Sequence, residues 1–245
     1  MAAEGKTIDA LSQFALTPIV AGFTNSNVFM LVAAAGISAL MILGMRPRAM
    51  VPGRLQSLAE VSYEFIAGMV KEQVGKEGMK YFPFVFTLFM FILFGNMLGM
   101  LPYAFTFTSH IAVTVTLALI VFIVVTAIAI AIHGARFFGY FFPEGAPVAL
   151  APIIIPVEII SYLSRVVSLS VRLFANMVAG HVMLKVFATF VVLLGGLGSL
   201  GVLGAAAPLA LNVALVGFEF LVAFLQAYVF AILTCIYLHD AVHLH

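Results

Sequence analysis

The sequence has little charge and a single cysteine, and each shortage excludes a class of protein. Charged residues make up 9% of the 245 residues and hydrophobic residues 64%, whereas soluble domains are about a quarter charged and about half apolar. No soluble core could bury this much apolar surface. The lone Cys235 excludes an internal disulfide. The net charge of +1 gives no electrostatic basis for binding nucleic acid.

Motifs for chemistry on small molecules are also missing. The sequence has no phosphate-binding loop, no catalytic triad pattern and no cofactor fingerprint. His239 and His243 have the spacing of metal ligands, and Asp240 and His245 lie beside them. Because no cysteine or further ligand cluster completes a site, a solvated tail is the better interpretation of this C-terminus. We therefore expect a protein that is not an enzyme and that holds no metal or cofactor.

Long apolar runs are what the sequence has in abundance. A helix needs about 20 apolar residues to cross about 30 Å of hydrocarbon. Continuous runs favour helices over a barrel, because a barrel strand would alternate in polarity over about ten residues. The pattern predicts an all-α membrane protein forming one integral membrane domain over residues 1–245. Three spans contain no ionised side chain, at residues 27–45, 82–102 and 111–132.

The C-terminal third predicts a helical hairpin. The apolar stretch at residues 147–194 would be about 70 Å long as a helix. One perpendicular span is shorter than that, so we expect two spans or one strongly inclined or bent helix. A glycine-rich turn from Gly195 to Pro208 follows, and the last helix is expected at residues 209–238.

The segment at residues 46–80 carries most of the basic residues of the first half, and loops of this kind mark the cytoplasmic side. Leu55, Leu58, Phe65 and Met69 recur at about helical spacing, which predicts an interfacial amphipathic helix. Residues 1–26 should then lie outside the cytoplasm and the C-terminus inside it. The charges of the segment are four glutamates and Arg46, Arg48, Arg54, Lys71, Lys76 and Lys80. Arg136, after the third predicted span, agrees with this orientation.

Polar residues form a line along the first helix of the hairpin. Glu158, Arg165 and Arg172 are spaced seven apart, and each step of seven returns to within about 20° on a helix. They form one stripe, with Ser161 and Asn176 on or beside it. Ionisable groups in a bilayer cost about 3 kcal/mol or more, and they usually face a cavity or a partner.

The last helix repeats the pattern with Asn212, Glu219 and Gln226, again seven apart. Antiparallel pairing puts Glu219 at the depth of His181 and Lys185, and Gln226 at the level of residues 176–180. Two polar seams on facing helices indicate an ion or proton path.

Other interpretations of these residues stay open. Arg165 and Lys185 could extend to the headgroups or neutralise Glu158 and Glu219, and His181 alone would be an ordinary core histidine. A stand-alone secondary transporter with an intramembrane charged site would use buried charges as well. It would predict inverted halves, yet the charges are confined to the C-terminal hairpin. A structural scaffold of a respiratory complex is a third possibility.

The run SLSVRLFANMVAGH at residues 168–181 resembles the signature of the subunit a family of the F-type ATP synthase membrane sector. The run GNMLGMLP at residues 95–102, Glu158, and Glu219 with Gln226 extend the similarity over nearly the whole chain. The resemblance, in its alphaproteobacterial or mitochondrial version, implies an inclined hairpin beside a rotating ring of c subunits. It further implies b-type peripheral stalk partners, an indirect link to the F1 catalytic sector, and a bacterial inner membrane, alternatively a mitochondrial one.

The resemblance also implies residue roles in proton translocation. Arg172 matches the stator arginine that faces the carboxylate of the ring, and Asn176 and Gln226 match its polar neighbours. Glu219 and His181 match a pair lining the aqueous access route on the side away from the catalytic head.

Glu158 and Ser161 match the exit path toward the cytoplasm. These positions would give the chain two aqueous half-channels, one on each side of Arg172. The expected function is a proton-channel stator that couples proton flow to rotation.

Overall fold

The computed structural model describes residues 14–20, 23–46, 50–101, 104–134, 137, 139 and 150–243. The expectations for Arg48, Arg136, His245 and residues 1–13 lie outside these described residues. The helices within the described ranges are α1 (Asn25–Gly44), α2 (Arg54–Gln73), α3 (Phe82–Gly99), α4 (Ile111–His133), α5 (Ala151–Gly195) and α6 (Ser199–Val242). Short 3₁₀ turns at Lys76–Tyr81 and Phe107–Ser109 precede α3 and α4.

Five of the described helical segments are long and apolar enough to cross a membrane, and they contain α1, α3, α4, α5 and α6. This confirms the predicted fold class, an all-α membrane bundle. One small departure lies before α1, where β1 (Pro18–Val20) pairs antiparallel with β2 (Phe23–Thr24). The Asn25 side chain supports this ribbon, because its Nδ2 donates to the carbonyl oxygen of Ala15 at 3.3 Å.

Helix α2 is covered on one side by the rest of the bundle, because it packs against α1, α3 and α6. Of the four apolar residues predicted to share a face, Met69 is buried together with Ile66, whereas Leu55, Leu58 and Phe65 are 57%, 53% and 40% exposed. The segment is helical, as the spacing of its apolar residues predicts, and the neighbouring helices set which of these residues are covered.

The C-terminal hairpin is formed by α5, with 45 residues, and α6, with 44 residues. Each is about 65 Å long at 1.5 Å per residue, twice the hydrocarbon thickness. A single long helix therefore replaces the two-span alternative for the first stretch. Residues 147–149 of that stretch lie outside the described ranges.

The last helix begins at Ser199, ten residues before the expected start. Gly198 has a φ of +89°, a conformation that glycine adopts without strain, and the turn closes there. Pro208 lies inside α6 rather than ending the turn. A membrane helix accommodates the backbone bond lost at a proline through its neighbours, so the glycine and not the proline sets the boundary.

Within the described ranges, the neighbouring helices cover the hairpin on one side. Helix α6 packs on α3, and α5 packs on α4. The buried residues of α5 are Leu169, Ser170, Leu173 and Met177, which lie on one face. The remaining circumference of α5 is mostly exposed.

Two glycines let the segment before α4 lie directly on α3. A Cβ atom at Gly95 would overlap the Phe107 ring, and one at Gly99 would overlap the Thr106 side chain. Asn96 of α3 also holds the segment before α4 in place, because Thr108 Oγ1 donates to Asn96 Oδ1 at 2.8 Å.

Asn96 Nδ2 also donates to the carbonyl oxygen of Ala223 at 3.2 Å. A fully buried amide in a membrane helix needs such partners. The contact joins α3 to α6 and holds the hairpin against the rest of the bundle.

We expect Gly95→Ala to destabilise the protein by about 1–3 kcal/mol, the usual cost of overpacking a core. The added methyl group would displace the Phe107 ring. The matched control is Gly68→Ala in α2, where an added Cβ meets nothing within 4 Å. The measurement is the thermal unfolding temperature in detergent, and equal temperatures for the two variants would contradict the close packing.

Candidate functional site

Arg172 lies near the midpoint of the 45-residue helix α5 and on its exposed side. Burial of Leu169 and Leu173 against the bundle fixes the rotation of the helix. Arg172 forms no hydrogen bond and no ion pair with any residue that the structure describes. A permanent cation at this depth is expected to face a cavity or a partner.

Arg165, two turns before Arg172, is in a different situation. Its Nη1 lies 3.2 Å from Asp240 Oδ2 of α6. Its guanidinium also lies over the rings of Tyr162 and Tyr237, at 5.3 and 4.9 Å from their centroids. The stripe of three charges predicted from the spacing therefore contains one charge that is already paired.

Among the alternatives left open for Arg165, the structure favours an ion pair with Asp240 over neutralisation of Glu158. The two residues are seven apart, about 10 Å along the helix axis, whereas Asp240 lies within direct reach of Arg165. Tyr162, whose ring lies under the Arg165 guanidinium, is anchored to α4, because its hydroxyl forms a 2.7 Å hydrogen bond with Thr126 Oγ1.

The solvated tail expected at the C-terminus was also wrong for its first part. Asp240 belongs to α6, which continues to Val242. The rings of His239 and His243 stack at 4.7 Å between centroids. Within the described ranges no three histidine, cysteine or acidic side chains come together as a metal site.

Glu219 is a carboxyl group buried between α5 and α6, with 4% of the residue exposed. Its Oε1 lies 3.7 Å from His181 Nδ1, and neither carboxyl oxygen has a hydrogen-bond partner among the described residues. Gly180 makes room for it, since a Cβ there would stand 2.7 Å from Oε1. Burial of a carboxyl group without hydrogen bonds is costly and points to a functional group.

Asn176 and Gln226 form the second contact across the hairpin. Asn176 Nδ2 donates to Gln226 Oε1 at 2.8 Å, and Gln226 is buried. Together with the contact between His181 and Glu219, this agrees with the antiparallel register predicted from the heptad spacing.

Thr106 is a neighbour of His181 that the sequence did not reveal. Its Oγ1 lies 2.9 Å from His181 Nε2, and the Phe14 ring meets the imidazole edge-on at 6.1 Å. The available signal was the pair Gly95 and Gly99, four residues apart, which predicts close approach of another segment. It does not say which segment approaches.

A cavity of about 490 Å³ opens beside His181 on the side of the hairpin turn. We call it the turn-side cavity, and its polar lining consists mainly of Thr106, His181, Lys185 and Asn212. It lies at the C-terminal end of α3, next to Gly99. The basic α2 segment precedes the other end of α3, so the cavity lies on the opposite side of the bundle.

A second cavity of about 280 Å³ lies between α5 and α6 and is lined by Asn176, Gly180 and Glu219 among apolar residues. We call it the hairpin groove. His181 borders the turn-side cavity and Glu219 borders the hairpin groove. The contact between these two side chains therefore joins the two spaces.

Glu158 and Ser161 lie apart from this group. Ser161 is exposed and Glu158 half-buried, and neither lines the turn-side cavity or the hairpin groove. Ser161 lies about 16 Å from Arg172 along the axis of α5. The structure therefore places these two candidates on the same helix as Arg172 without bringing them together with it.

Comparison with known proteins decides the family. The family model described as "ATP synthase A chain" matches residues 27–239. The chain belongs to the ATP synthase A chain family. The match runs from α1 into the last turn of α6. It contains Arg172, Asn176, His181, Glu219 and Gln226, whereas Asp240 lies one residue beyond it.

Relatives named ATP synthase subunit a match this chain over nearly its full length. ATP synthase subunit a of Granulibacter bethesdensis is 65% identical over 252 residues, covering 100% of both chains. The subunit a of Acidiphilium cryptum is 56% identical and covers 99% of this chain and 100% of its own. The subunit a of Gluconacetobacter diazotrophicus is 56% identical and covers 98% of this chain and 99% of its own. The resemblance to alphaproteobacterial subunit a is thereby confirmed.

We expect Arg165 and Asp240 to be energetically coupled. A double-mutant cycle with Arg165→Gln and Asp240→Asn should give an interaction energy of about 0.5–3 kcal/mol, as for other contacting residues. The measurement is the free energy of unfolding of the four proteins in detergent. Additive effects of the two single substitutions would show that the 3.2 Å contact contributes nothing.

Proposed function

We propose that this chain is the stationary proton-conducting subunit of an ATP synthase membrane sector, coupling proton flow to rotation of a ring of c subunits. The observation that carries the proposal is the exposed Arg172, without an acidic partner among the described residues, beside the buried pair His181 and Glu219. The names of the relatives support the complex. Confinement of the intramembrane charges to one hairpin disfavours a stand-alone transporter with inverted halves.

Arg172 acts on an acid that arrives from the ring. A guanidinium about 4 Å from a carboxylate favours the ionised form by about 4 kcal/mol at an effective dielectric of about 20. A protonated ring carboxyl that reaches Arg172 therefore gives up its proton. Since the guanidinium stays charged at all working pH values, it also prevents protons from passing straight along α5. Protons then have to travel around with the ring.

Protons reach the ring through the turn-side cavity and the hairpin groove. His181 borders the first space and Glu219 the second. An imidazole and a carboxyl in contact can share one proton at neutral pH. Asn176 and Gln226, joined at 2.8 Å, lie further along the groove toward Arg172. This order gives a half-channel that ends on the exposed face of α5.

Protons leave on the other side, along the part of α5 that carries Glu158 and Ser161. Glu158 has no ion-pair partner among the described residues, so its carboxyl group is available to accept a proton. The membrane potential supplies about 2.3 kcal/mol per charge per 100 mV.

The orientation that we propose rests on the basic residues. Arg54, Lys71, Lys76 and Lys80 lie in or after α2, and loops rich in lysine and arginine are typical of the cytoplasmic side. The turn-side cavity then opens to the periplasm of a bacterial inner membrane, with the N-terminus periplasmic and the C-terminus cytoplasmic. We assign b-type stalk subunits and, indirectly, the F1 sector as the remaining partners.

We expect Arg172→Ala to abolish ATP-driven proton pumping by the complex reconstituted in vesicles, because nothing would then discharge the ring carboxyl. The control is Val171→Ala, which shortens the adjacent exposed side chain without changing charge. Acidification is followed with a pH-sensitive dye. Normal pumping by the Arg172 variant would overturn the proposed function.

We expect Glu219→Gln to slow both passive and ATP-driven proton flux roughly a hundredfold, the lower end of what a positioned proton-transfer group contributes. The complex should stay assembled, because the amide has the same shape. Phe220→Leu, a neighbour that lines neither cavity, serves as the control. Unchanged flux would leave Glu219 as a structural counter-ion of Lys185.

A further inference from the structure

The hydroxyl group of Thr106 has two neighbours and only one proton to donate. Its Oγ1 lies 3.2 Å from the carbonyl oxygen of Gly99 and 2.9 Å from His181 Nε2. The carbonyl oxygen can only accept a hydrogen bond. The hydroxyl proton therefore goes to Gly99, and the oxygen has to accept a hydrogen bond from His181.

The Gly99 carbonyl needs this proton. Gly99 is the last residue of α3, and the last four carbonyls of a helix have no intrahelical partner. No described backbone N–H bonds to it. Thr106 satisfies it in a buried place, since Thr106 is 4% exposed, and loss of that bond would leave a polar group unpaired.

We propose that Thr106 is a positioning residue that holds neutral His181 as the Nε2–H tautomer, so that the Nδ1 lone pair faces Glu219. The partner of one ring nitrogen decides which nitrogen carries the proton. Nδ1 lies 3.7 Å from Glu219 Oε1 and is then the one position at which the ring can gain a proton. This inference rests on the proposed function and assigns a direction to its proton relay.

The transfer proceeds in two balanced proton steps. A hydronium ion in the turn-side cavity, which His181 borders, gives its proton to the Nδ1 lone pair, so that an O–H bond breaks as the Nδ1–H bond forms and water and an imidazolium result. The Nδ1–H bond then breaks as an O–H bond forms on the Glu219 carboxylate, which borders the hairpin groove, and the neutral Nε2–H ring is restored. Nε2 keeps its hydrogen bond to Thr106 throughout, so no proton leaks toward α3.

The residues packed around Thr106 hold its hydroxyl group in a fixed position beside His181. Gly99 leaves no space behind it, because a Cβ there would overlap the Thr106 side chain. Ser109 Oγ donates to the Thr106 carbonyl oxygen, and the adjacent Phe107 is fully buried.

Among the described residues, the charged and titratable groups around His181 are Glu219 from α6 and Lys185, one turn on in α5 and lining the same cavity. The segment before α4 meets the ring through the Thr106 hydroxyl, and Phe14 meets it with a ring edge. Thr106 is thus the neighbour that touches Nε2 rather than Nδ1.

The test compares Thr106→Val, which keeps the shape but loses the hydroxyl, with Thr106→Ser, which keeps the hydroxyl. The complete ATP synthase complex is prepared with ¹⁵N-labelled histidine, and the His181 signals are identified by their loss in His181→Gln. Solid-state NMR then reports which ring nitrogen carries the proton. We expect the Nε2–H form in the unmodified complex and in Thr106→Ser, and a mixture of tautomers in Thr106→Val.

Proton flux is measured on the same complexes in vesicles. Thr106→Val should lower passive flux roughly tenfold, the factor that one neutral hydrogen bond is worth, and Thr106→Ser should restore it. The rate of ATP hydrolysis and the amount of assembled complex serve as controls.

A neutral His181 ring with its proton on Nδ1 in the unmodified complex would overturn the inference, even if the valine variant did not assemble. Equal flux in the valine and serine variants would overturn it as well. Neither result touches the role of Arg172, whose own variant tests the proposed function independently of the tautomer of His181.

Discussion

The cost of placing charge in hydrocarbon governs this structure. Each ionisable group of the hairpin has to be paired, hydrogen-bonded or turned toward a partner, since isolation costs several kcal/mol. Arg165 meets Asp240 at 3.2 Å, and Glu219 meets His181 at 3.7 Å. Arg172 meets no acid among the described residues. Both of these contacts join α5 to α6, and the lack of an acidic partner at Arg172 is the observation on which the proposed encounter with a rotor acid rests.

The packing of the bundle puts these three sites in different surroundings. Helices α3 and α4 cover one side of the hairpin, which buries the contacts of Glu219 and leaves Arg172 on the open side. Close approach is possible only where side chains are small, as at Gly180, which lies against the Glu219 carboxyl group. Among the described residues the face of α5 that carries Arg172 is left uncovered. The fold therefore separates the buried contact between His181 and Glu219 from an exposed cation, which is the arrangement that the proposed function requires.

The sequence predicted the helices, the hairpin and its register, because apolar length and heptad spacing are local properties. That spacing put Glu219 at the depth of His181 and Lys185, and Gln226 at the level of residues 176–180, while the family resemblance implied that His181 and Glu219 form a pair. Thr106 and Asp240 could not be found in this way. Thr106 lies beside His181 because its segment packs on Gly99, and such tertiary packing cannot be read from local spacing. Asp240 faces Arg165 because α6 continues to Val242, and the sequence alone did not separate this last turn from a solvated tail. Pro208 misled the prediction because membrane helices tolerate proline.

The position of the Arg165–Asp240 contact has a mechanical consequence. The two long helices are joined covalently at Gly198, and the ion pair fastens them again near the opposite end of α6. A rod clamped at both extremities bends far less under a sideways load than a cantilever of equal length. In the function proposed above, a ring turning beside the exposed side of α5 would push α5 sideways, and the pair of helices would bear the reaction torque as one stiff beam. Arg172 lies seven residues from the clamp at Arg165, so its alignment would be preserved during each step.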